Sequence, residues 1–211
     1  MYYIIWIAET LINTFIIITI VNMLLMGPFS LRLSGRPGHG EYHVTPRENS
    51  RKINGSFFEL QGEVECAGFA SAFLLRFMGY EAAGKEIYDS MTHKRRDGTV
   101  YPKAIVKLLR ERGYRAKMCR GSLAALKERV SLGTPVIVMI RTFEGKSALH
   151  FVCVTGYDRD NIYLAETVPG LINAEGAYHS RAVPTEEFLR LWDTAMLKMP
   201  LYKNIMFETD R

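Results

Sequence analysis

Hydrophobic and polar positions divide the chain into three stretches with different patterns. Residues 3–26 are nearly all apolar, which predicts a single long helix. Residues 28–55 lack apolar periodicity and contain several prolines and glycines, which is typical of a linker. From residue 56 onward, helical and strand periods follow one another. The predicted organisation is therefore an apolar segment at 1–27, a linker at 28–55 and a folded domain at 56–211.

The folded domain starts with helical patterns and continues with strand patterns. Its first helix begins at Cys66, where apolar residues start to recur at steps of three and four up to Phe77. A hairpin of two strands is predicted at 148–167, from β-branched and aromatic runs interrupted by a turn. The other predicted elements are helices at 82–91, 102–112, 122–130 and 184–192, and strands at 136–140 and 204–207. Helices followed by an antiparallel sheet indicate the α+β class.

The apolar N-terminal segment is long enough to cross a membrane. A helix over residues 3–26 would span about 36 Å, against a hydrocarbon core of about 30 Å. The segment lacks a basic start and a small-residue cleavage site, so we expect an uncleaved single-pass anchor. Its acidic residue Glu9 either reaches the lipid headgroups or marks association with another helix. Arg32 and Arg36 follow the segment, and the positive-inside rule then assigns the folded domain to the cytoplasm.

Cys66 is the first candidate for chemistry. It lies at a predicted helix N-terminus, where unpaired amides and the positive end of the helix dipole favour a thiolate over a thiol. A side-chain amide, Gln61, precedes it by five residues. Taken alone, Cys66 is better explained as a buried core residue, because free cysteine is among the most buried residue types.

The predicted hairpin supplies two further candidates. His150 lies on its first strand, and Glu166 ends its second strand sixteen residues later. A cysteine at a helix start, a histidine and an acid provide a nucleophile, a base and a group that orients the base. This combination favours a catalytic site over a core cysteine.

The residues Gln61, Glu65-Cys66 and the segment HFVCVTGYD, which starts at His150, resemble the C39-type, papain-like cysteine peptidases. That family includes the bacteriocin leader-processing domains, and the resemblance covers residues 56–208. It implies a papain-like fold with a helical lobe and an antiparallel sheet lobe. It also implies roles: Cys66 as nucleophile, His150 as base and Gln61 as side-chain donor to the oxyanion.

Two positions depart from the pattern of that family. The third catalytic position, usually Asp, falls on Glu166, whose side chain is one methylene longer. Ala67 follows the cysteine where the family usually has glycine, and Gly68 comes one position later. The first departure concerns how the imidazole is held, and the second concerns the backbone amide of the oxyanion hole.

The resemblance implies a peptidase that cleaves a peptide through an acyl-enzyme, without a cofactor, and the apolar N-terminal segment implies that it is anchored in a membrane. If it extends to the substrate, the target is a peptide, such as a leader peptide, with small residues at the cut. Two alternatives remain open: a non-catalytic module that binds peptides on the same fold, and an amidase or transferase that uses the same thiol chemistry.

Composition restricts the class of protein but does not identify a function. With 211 residues, of which 48% are hydrophobic, the chain can form one domain with a sizeable core and an appendage. The formal charge of +5 admits a protein that binds anionic lipid or nucleic acid, but so modest a charge is weak support, and we expect no nucleic-acid partner. Three cysteines do not indicate a disulfide framework.

A metal site is the last candidate. His39 and His43 are four residues apart with Glu41 between them, a spacing that binds zinc when it occurs on a helix. Gly38 and Gly40 disfavour a helix here. We therefore expect no metal.

Overall fold

The computed structural model describes residues 2–145 and 148–211 of the chain. Its helices are α1 (Tyr2–Met26), α2 (Cys66–Phe77), α3 (Gly84–Ser90), α4 (Pro102–Glu111), α5 (Leu123–Ser131) and α6 (Thr185–Trp192). Its strands are β1 (Phe29–Arg32), β2 (Tyr42–His43), β3 (Arg115–Gly121), β4 (Val136–Arg141), β5 (Leu149–Tyr157), β6 (Asn161–Ala165), β7 (Arg181–Pro184) and β8 (Ile205–Asp210). The predicted α+β class is confirmed: the helices accompany a largely antiparallel sheet.

The described strands form one sheet in the order β1, β3, β8, β4, β5, β6, β7, and β2 pairs with the far end of β5. The pairs are antiparallel except for β1 with β3, which is parallel. β5 and β6 form the predicted hairpin. In this hairpin the start of β5 and the end of β6 lie at the open end, opposite the turn, so the residues at those two ends can meet.

Helix α2 is the central helix of the domain. Every residue after Cys66 in this helix is buried, and the helix packs on α3 and on β5. The close approach to α3 explains the glycine at 68, because a Cβ there would lie 2.4 Å from the Cβ of Tyr88. Such a distance is far below any ordinary carbon contact. Gly68 therefore serves the packing of two helices.

The range predicted as a linker contains two strands of the sheet. β1 pairs with β3 from Phe29↔Met118 to Arg32↔Gly121, and β2 pairs with β5. Strands of four and two residues are too short to show a clear period of two, which is why the sequence pattern did not indicate them. The chain therefore joins the sheet within three residues of the end of α1.

Helix α1 is the one helix of the described ranges that is long and apolar enough to cross a membrane, judged by length and composition. Almost all of its side chains are exposed, including Trp6 and Phe15. At its C-terminal end, the Asn22 side chain donates to the Lys198 carbonyl oxygen at 2.8 Å. Lys103 donates to the Leu24 carbonyl oxygen at 2.7 Å. This end of the helix is therefore bound to the folded domain.

Candidate active site

The four predicted site residues come from three parts of the fold. Cys66 is the first residue of α2, and Gln61 lies in the extended segment just before it. His150 is the second residue of β5, and Glu166 directly follows β6. The structure brings all four to the region where the N-terminus of α2 meets the open end of the β5–β6 hairpin.

His150 and Glu166 form a buried pair. The imidazole Nε2 lies 2.8 Å from Glu166 Oε1, and the two side chains are 3% and 0% exposed. In this position the carboxylate holds the ring in one orientation and assigns Nε2 as the donor. The additional methylene of glutamate therefore does not prevent the contact for which the family usually employs aspartate.

Cys66 is the other side chain that interacts with the His150 ring. Because Glu166 occupies Nε2, this contact falls to Nδ1 of the ring. Cys66 is partly exposed, whereas the imidazole is buried. Cys66 is therefore the more accessible of the two groups.

The environment of His150 strongly favours the imidazolium. Burial alone would lower the pKa of this histidine, but its hydrogen bonds to Cys66 and Glu166 outweigh burial and raise the pKa to about 10. A buried imidazolium stabilised by a carboxylate is suited to stabilise a thiolate on its other side. At neutral pH the group is ready to donate a proton.

Glu166 is held by more than the histidine. Its Oε1 also accepts hydrogen bonds from the backbone amides of Thr167 at 2.9 Å and Val168 at 3.0 Å. Its Oε2 pairs with Arg181 Nη1 at 3.1 Å. Burial opposes the charge of the carboxylate, but the contacts with His150, Val168 and Arg181 lower the pKa of Glu166 to about 2. The carboxylate therefore stays charged and has one fixed position.

Gln61 is positioned by Thr167, the residue next to Glu166. The Thr167 hydroxyl donates to Gln61 Oε1 at 2.6 Å, and the backbone N–H of Gln61 donates to the Thr167 carbonyl oxygen at 2.9 Å. With Oε1 fixed in this way, Nε2 is the free end of the side chain, and it donates one hydrogen to the Gly62 carbonyl oxygen at 3.1 Å. Its second hydrogen remains available for a ligand.

The segment that leads to Gln61 is held by a buried arginine in α2. The Arg76 guanidinium donates to the carbonyl oxygens of Phe57 and Ala82, each at 2.6 Å, and pairs with Glu59. Burial lowers the pKa of Arg76, and the Glu59 carboxylate opposes this effect. The arginine thus ties the incoming chain to the helix that carries Cys66.

Sequence reasoning did not identify Thr167 and Arg181. Thr167 directly follows a predicted site residue, and this adjacency is the one signal that could have drawn attention to it. Arg181 lies on β7, a four-residue strand that no sequence pattern indicated, and it meets Glu166 because Leu164 pairs with it across the sheet. Strand pairing of this kind depends on the tertiary structure.

The His39 and His43 spacing does not occur on a helix. His43 lies on β2, its Nε2 is 2.6 Å from Glu41 Oε1, and its ring stacks on His179 at 5.5 Å between centroids. Within residues 2–145 and 148–211, no group of three or more His, Cys, Asp or Glu side chains could hold a metal ion.

Comparisons with known proteins agree with this geometry at the level of family and fold. A family model described as the Peptidase_C39 like family matches residues 54–195. No curated protein matches the chain.

Three solved structures are similar in fold. The first is the peptidase domain of Streptococcus ComA, a bi-functional ABC transporter involved in a quorum sensing pathway, with 14% identity, a TM-score of 0.53 and coverage of 72% of this chain and 95% of that one. The second is a double glycine motif protease from an AMS/PCAT transporter in complex with the leader peptide, with 19% identity, a TM-score of 0.52 and coverage of 80% and 97%. The third is described as a C39-like peptidase from Bacillus anthracis, with 15% identity, a TM-score of 0.54 and coverage of 75% and 95%.

Proposed function

The chain belongs to the Peptidase_C39 like family, and from this premise we propose that it is a membrane-anchored cysteine peptidase with Cys66, His150, Glu166 and Gln61 as its catalytic residues. One observation carries the proposal: the buried His150 imidazole has the Cys66 thiol on one side and the Glu166 carboxylate on the other. Structural cysteines have no need for a charged imidazole beside them. Binding a peptide without cleaving it does not require the pair of Cys66 and His150 either.

In the proposed reaction the Cys66 thiolate attacks the carbonyl carbon of the scissile peptide bond. The C–N bond breaks as the His150 imidazolium donates its proton to the leaving amine, which leaves a thioester on Cys66. The neutral imidazole then takes a proton from water, and the resulting hydroxide attacks the thioester. The carboxylic acid product leaves, and the thiolate and imidazolium are restored.

The oxyanion of each tetrahedral intermediate needs hydrogen-bond donors. We assign this role to Gln61 Nε2, because Thr167 fixes the other end of the amide. The backbone amide of Cys66, at the first position of α2, is the second donor, since the first amides of a helix have no partner within the helix. The positive end of the helix dipole adds to the stabilisation.

The proposed substrate is a peptide with small residues at the cut, such as paired glycines. One solved structure of similar fold is a double glycine motif protease in complex with a leader peptide, which supports a peptide as the ligand of this chain. The proposed anchor is α1, whose 25 residues would span about 37 Å as a helix. With Arg32 and Arg36 after the helix, we propose that the catalytic domain faces the cytoplasm.

A peptide library that places every pair of residues at a central bond tests the activity. We expect the full chain, purified in detergent micelles, to cleave after small residues and to release a new carboxyl end and a new amine. Binding without cleavage would favour the non-catalytic module. Release of ammonia from a side-chain amide, or transfer of the acyl group to an added amine, would favour the amidase or the transferase.

Thiol labelling provides a test that needs no substrate. We expect iodoacetamide to modify Cys66 far faster than Cys119 or Cys153, because Cys66 is partly exposed and contacts an imidazolium, whereas the other two are fully buried. Burial raises the pKa of both buried thiols, which further slows their reaction. Mass spectrometry of the labelled chain measures the three rates. In the His150→Gln variant the rate at Cys66 should fall; equal rates in the two proteins would contradict an activated thiol.

Gln61→Ala tests the oxyanion donor. We expect kcat to fall about 100- to 1,000-fold, the usual effect of removing one such donor, with little change in melting temperature. Gln61→Glu is the matched control, because it keeps the shape of the side chain and replaces the donor by an acceptor. It should lower kcat at least as far. An unchanged kcat in both variants would remove Gln61 from the mechanism.

A further inference from the structure

A groove lies where the chain leaves α1 and enters the folded domain. It has a volume of about 660 Å³ and is bounded by residues 27–30, by one face of α4 and by the middle of β3. Its apolar floor consists of Phe29, Val106 and Met118. None of the four candidate catalytic residues lines it, so the groove is separate from the candidate active site.

The rim of the groove is basic. Lys103, Lys107 and Arg110 line it, and their spacings of four and three residues put them on one face of α4. Lys107 and Arg110 are exposed, and Lys103 is half-buried. Glu111, the acidic residue of the lining, pairs with Lys107. The rim therefore keeps an excess of positive charge.

A fourth cation, Lys117, enters the lining from β3. Its Nζ lies 3.1 Å from Glu208 Oε2, but that carboxylate also pairs with Arg32, whose Nε lies 2.8 Å from Oε1. Glu208 thus shares its single charge between two cations. Arg32 is also paired with Glu128, whose Oε2 lies 2.7 Å from Arg32 Nη2. Glu208 can therefore neutralise much of the Lys117 charge, and the excess positive charge of the groove comes from the three cations of α4.

The groove lies at the level where the apolar helix ends. Lys103 binds the carbonyl oxygen of Leu24 in the last turn of α1, and the Tyr202 hydroxyl donates to the Gly27 carbonyl oxygen at 2.7 Å. These contacts bind the helix to the domain beside the groove. If α1 spans a membrane, the mouth of the groove is therefore at the membrane surface, where lipid headgroups are found.

We propose that this groove binds the headgroup of an anionic phospholipid from the membrane that holds α1. The lysine and arginine side chains of the rim bind the phosphate, and the apolar floor packs against the glycerol and the first acyl carbons. This inference rests on the proposed membrane anchor and is independent of the proposed peptidase activity. A lipid fits better than a soluble phosphate, because a soluble anion would leave the apolar floor unused.

Photo-crosslinking in membranes tests the proposal. The full chain is inserted into phosphatidylcholine vesicles that contain a trace of photoactivatable phosphatidylglycerol or, in parallel, photoactivatable phosphatidylcholine. After irradiation, mass spectrometry measures the labelled fraction of the segment 102–118. We expect phosphatidylglycerol to label it about 25-fold more, since each cation near an anionic surface strengthens association about fivefold and two of the four cations, Lys107 and Lys117, are partly neutralised.

Charge variants show whether the rim carries the preference. In the triple variant Lys103→Gln, Lys107→Gln, Arg110→Gln we expect the labelling by phosphatidylglycerol to fall to the level of phosphatidylcholine. The double variant Lys107→Gln, Arg110→Gln keeps the contact of Lys103 with α1, and its labelling should be intermediate. The control removes the same number of charges from the loop at 94–96 by substituting glutamine, and its labelling should equal that of the original chain.

The possible results separate the anchor from the groove. Resistance to carbonate extraction from pure phosphatidylcholine vesicles is measured first. Extraction of the chain would contradict both the proposed membrane anchor and the proposed lipid site. An inserted chain that both lipids label equally overturns the groove alone, as does a preference for phosphatidylglycerol that survives in the triple variant. Cleavage of the peptide library, measured on the same samples, reports on the peptidase separately.

Discussion

Cys66→Ala is expected to lower kcat for peptide hydrolysis by a factor on the order of a million, the scale observed when the nucleophile of a catalytic triad is removed. The reason is chemical: without the sulfur no thioester can form, and the remaining oxyanion donors cannot attack the peptide. The variant should fold, because Cys66 is the first residue of α2 and its side chain is partly exposed. Cleavage of a fluorogenic peptide, with the melting temperature measured in parallel, gives both quantities.

Cys119→Ala is the matched control for the nucleophile. Cys119 is fully buried on β3, and its sulfur lies 3.1 Å from the Ser30 hydroxyl oxygen. Removing it should cost some stability and leave kcat near the original value. If the Cys66→Ala variant still cleaves peptide at a substantial rate, the proposed mechanism is wrong. Retained peptide binding with no cleavage in the original chain would instead favour the non-catalytic module.

Glu166→Gln is expected to lower kcat by about 10⁴-fold, the scale observed when the orienting carboxylate of a catalytic triad becomes an amide. The carboxylate holds the His150 ring through Nε2 and stabilises its positive charge. The substitution removes both effects, and it leaves the buried Arg181 guanidinium without its carboxylate partner. The change in kcat is measured from rates of peptide cleavage at several pH values.

The pH profile of this variant distinguishes catalysis from folding. The pKa of His150 is raised to about 10, and Glu166 contributes to that rise through a hydrogen bond and through its charge. Loss of the carboxylate charge lowers the pKa of His150, so the alkaline limb of kcat should move to lower pH in Glu166→Gln. A merely destabilised protein would lose activity without such a shift. An alkaline limb at its original position would show that Glu166 does not act on the imidazole.

Glu166→Asp provides the conservative comparison, since aspartate is the usual residue of the family at this position. The shorter side chain keeps the charge but cannot keep all the contacts with His150, Arg181 and the amides of Thr167 and Val168. We expect an activity between those of the original chain and Glu166→Gln. This order of the three proteins would show that charge and position both contribute.

Local patterns predicted much of the fold. The stepwise recurrence of apolar residues after Cys66 predicted α2, and the β-branched runs on either side of a turn predicted the β5–β6 hairpin. These elements are long enough for their periods to be visible in the sequence. β1 and β7 were not predicted, because four residues show no clear period and because their pairing depends on distant parts of the chain.

The candidate chemistry was also visible, but its geometry was not. Residue type and chain order named Cys66, His150, Glu166 and Gln61. Neither property could show that Arg181 reaches the second oxygen of Glu166 or that Thr167 fixes Gln61. Those contacts join residues that are 15 and 106 positions apart. The groove beside α1 is of the same kind, since it depends on how residues 27–30 lie against α4 and β3.

The amino-acid sequence by itself determined the class of fold, the apolar helix and the set of groups able to carry out thiol chemistry, because each follows from periods and residue types within short segments. Only the tertiary structure decided which of these groups meet, how the carboxylate at 166 reaches the imidazole, and where positively charged side chains collect beside α1. The physical reason is range: hydrogen bonds and ion pairs act over a few ångströms in space, whatever the separation along the chain.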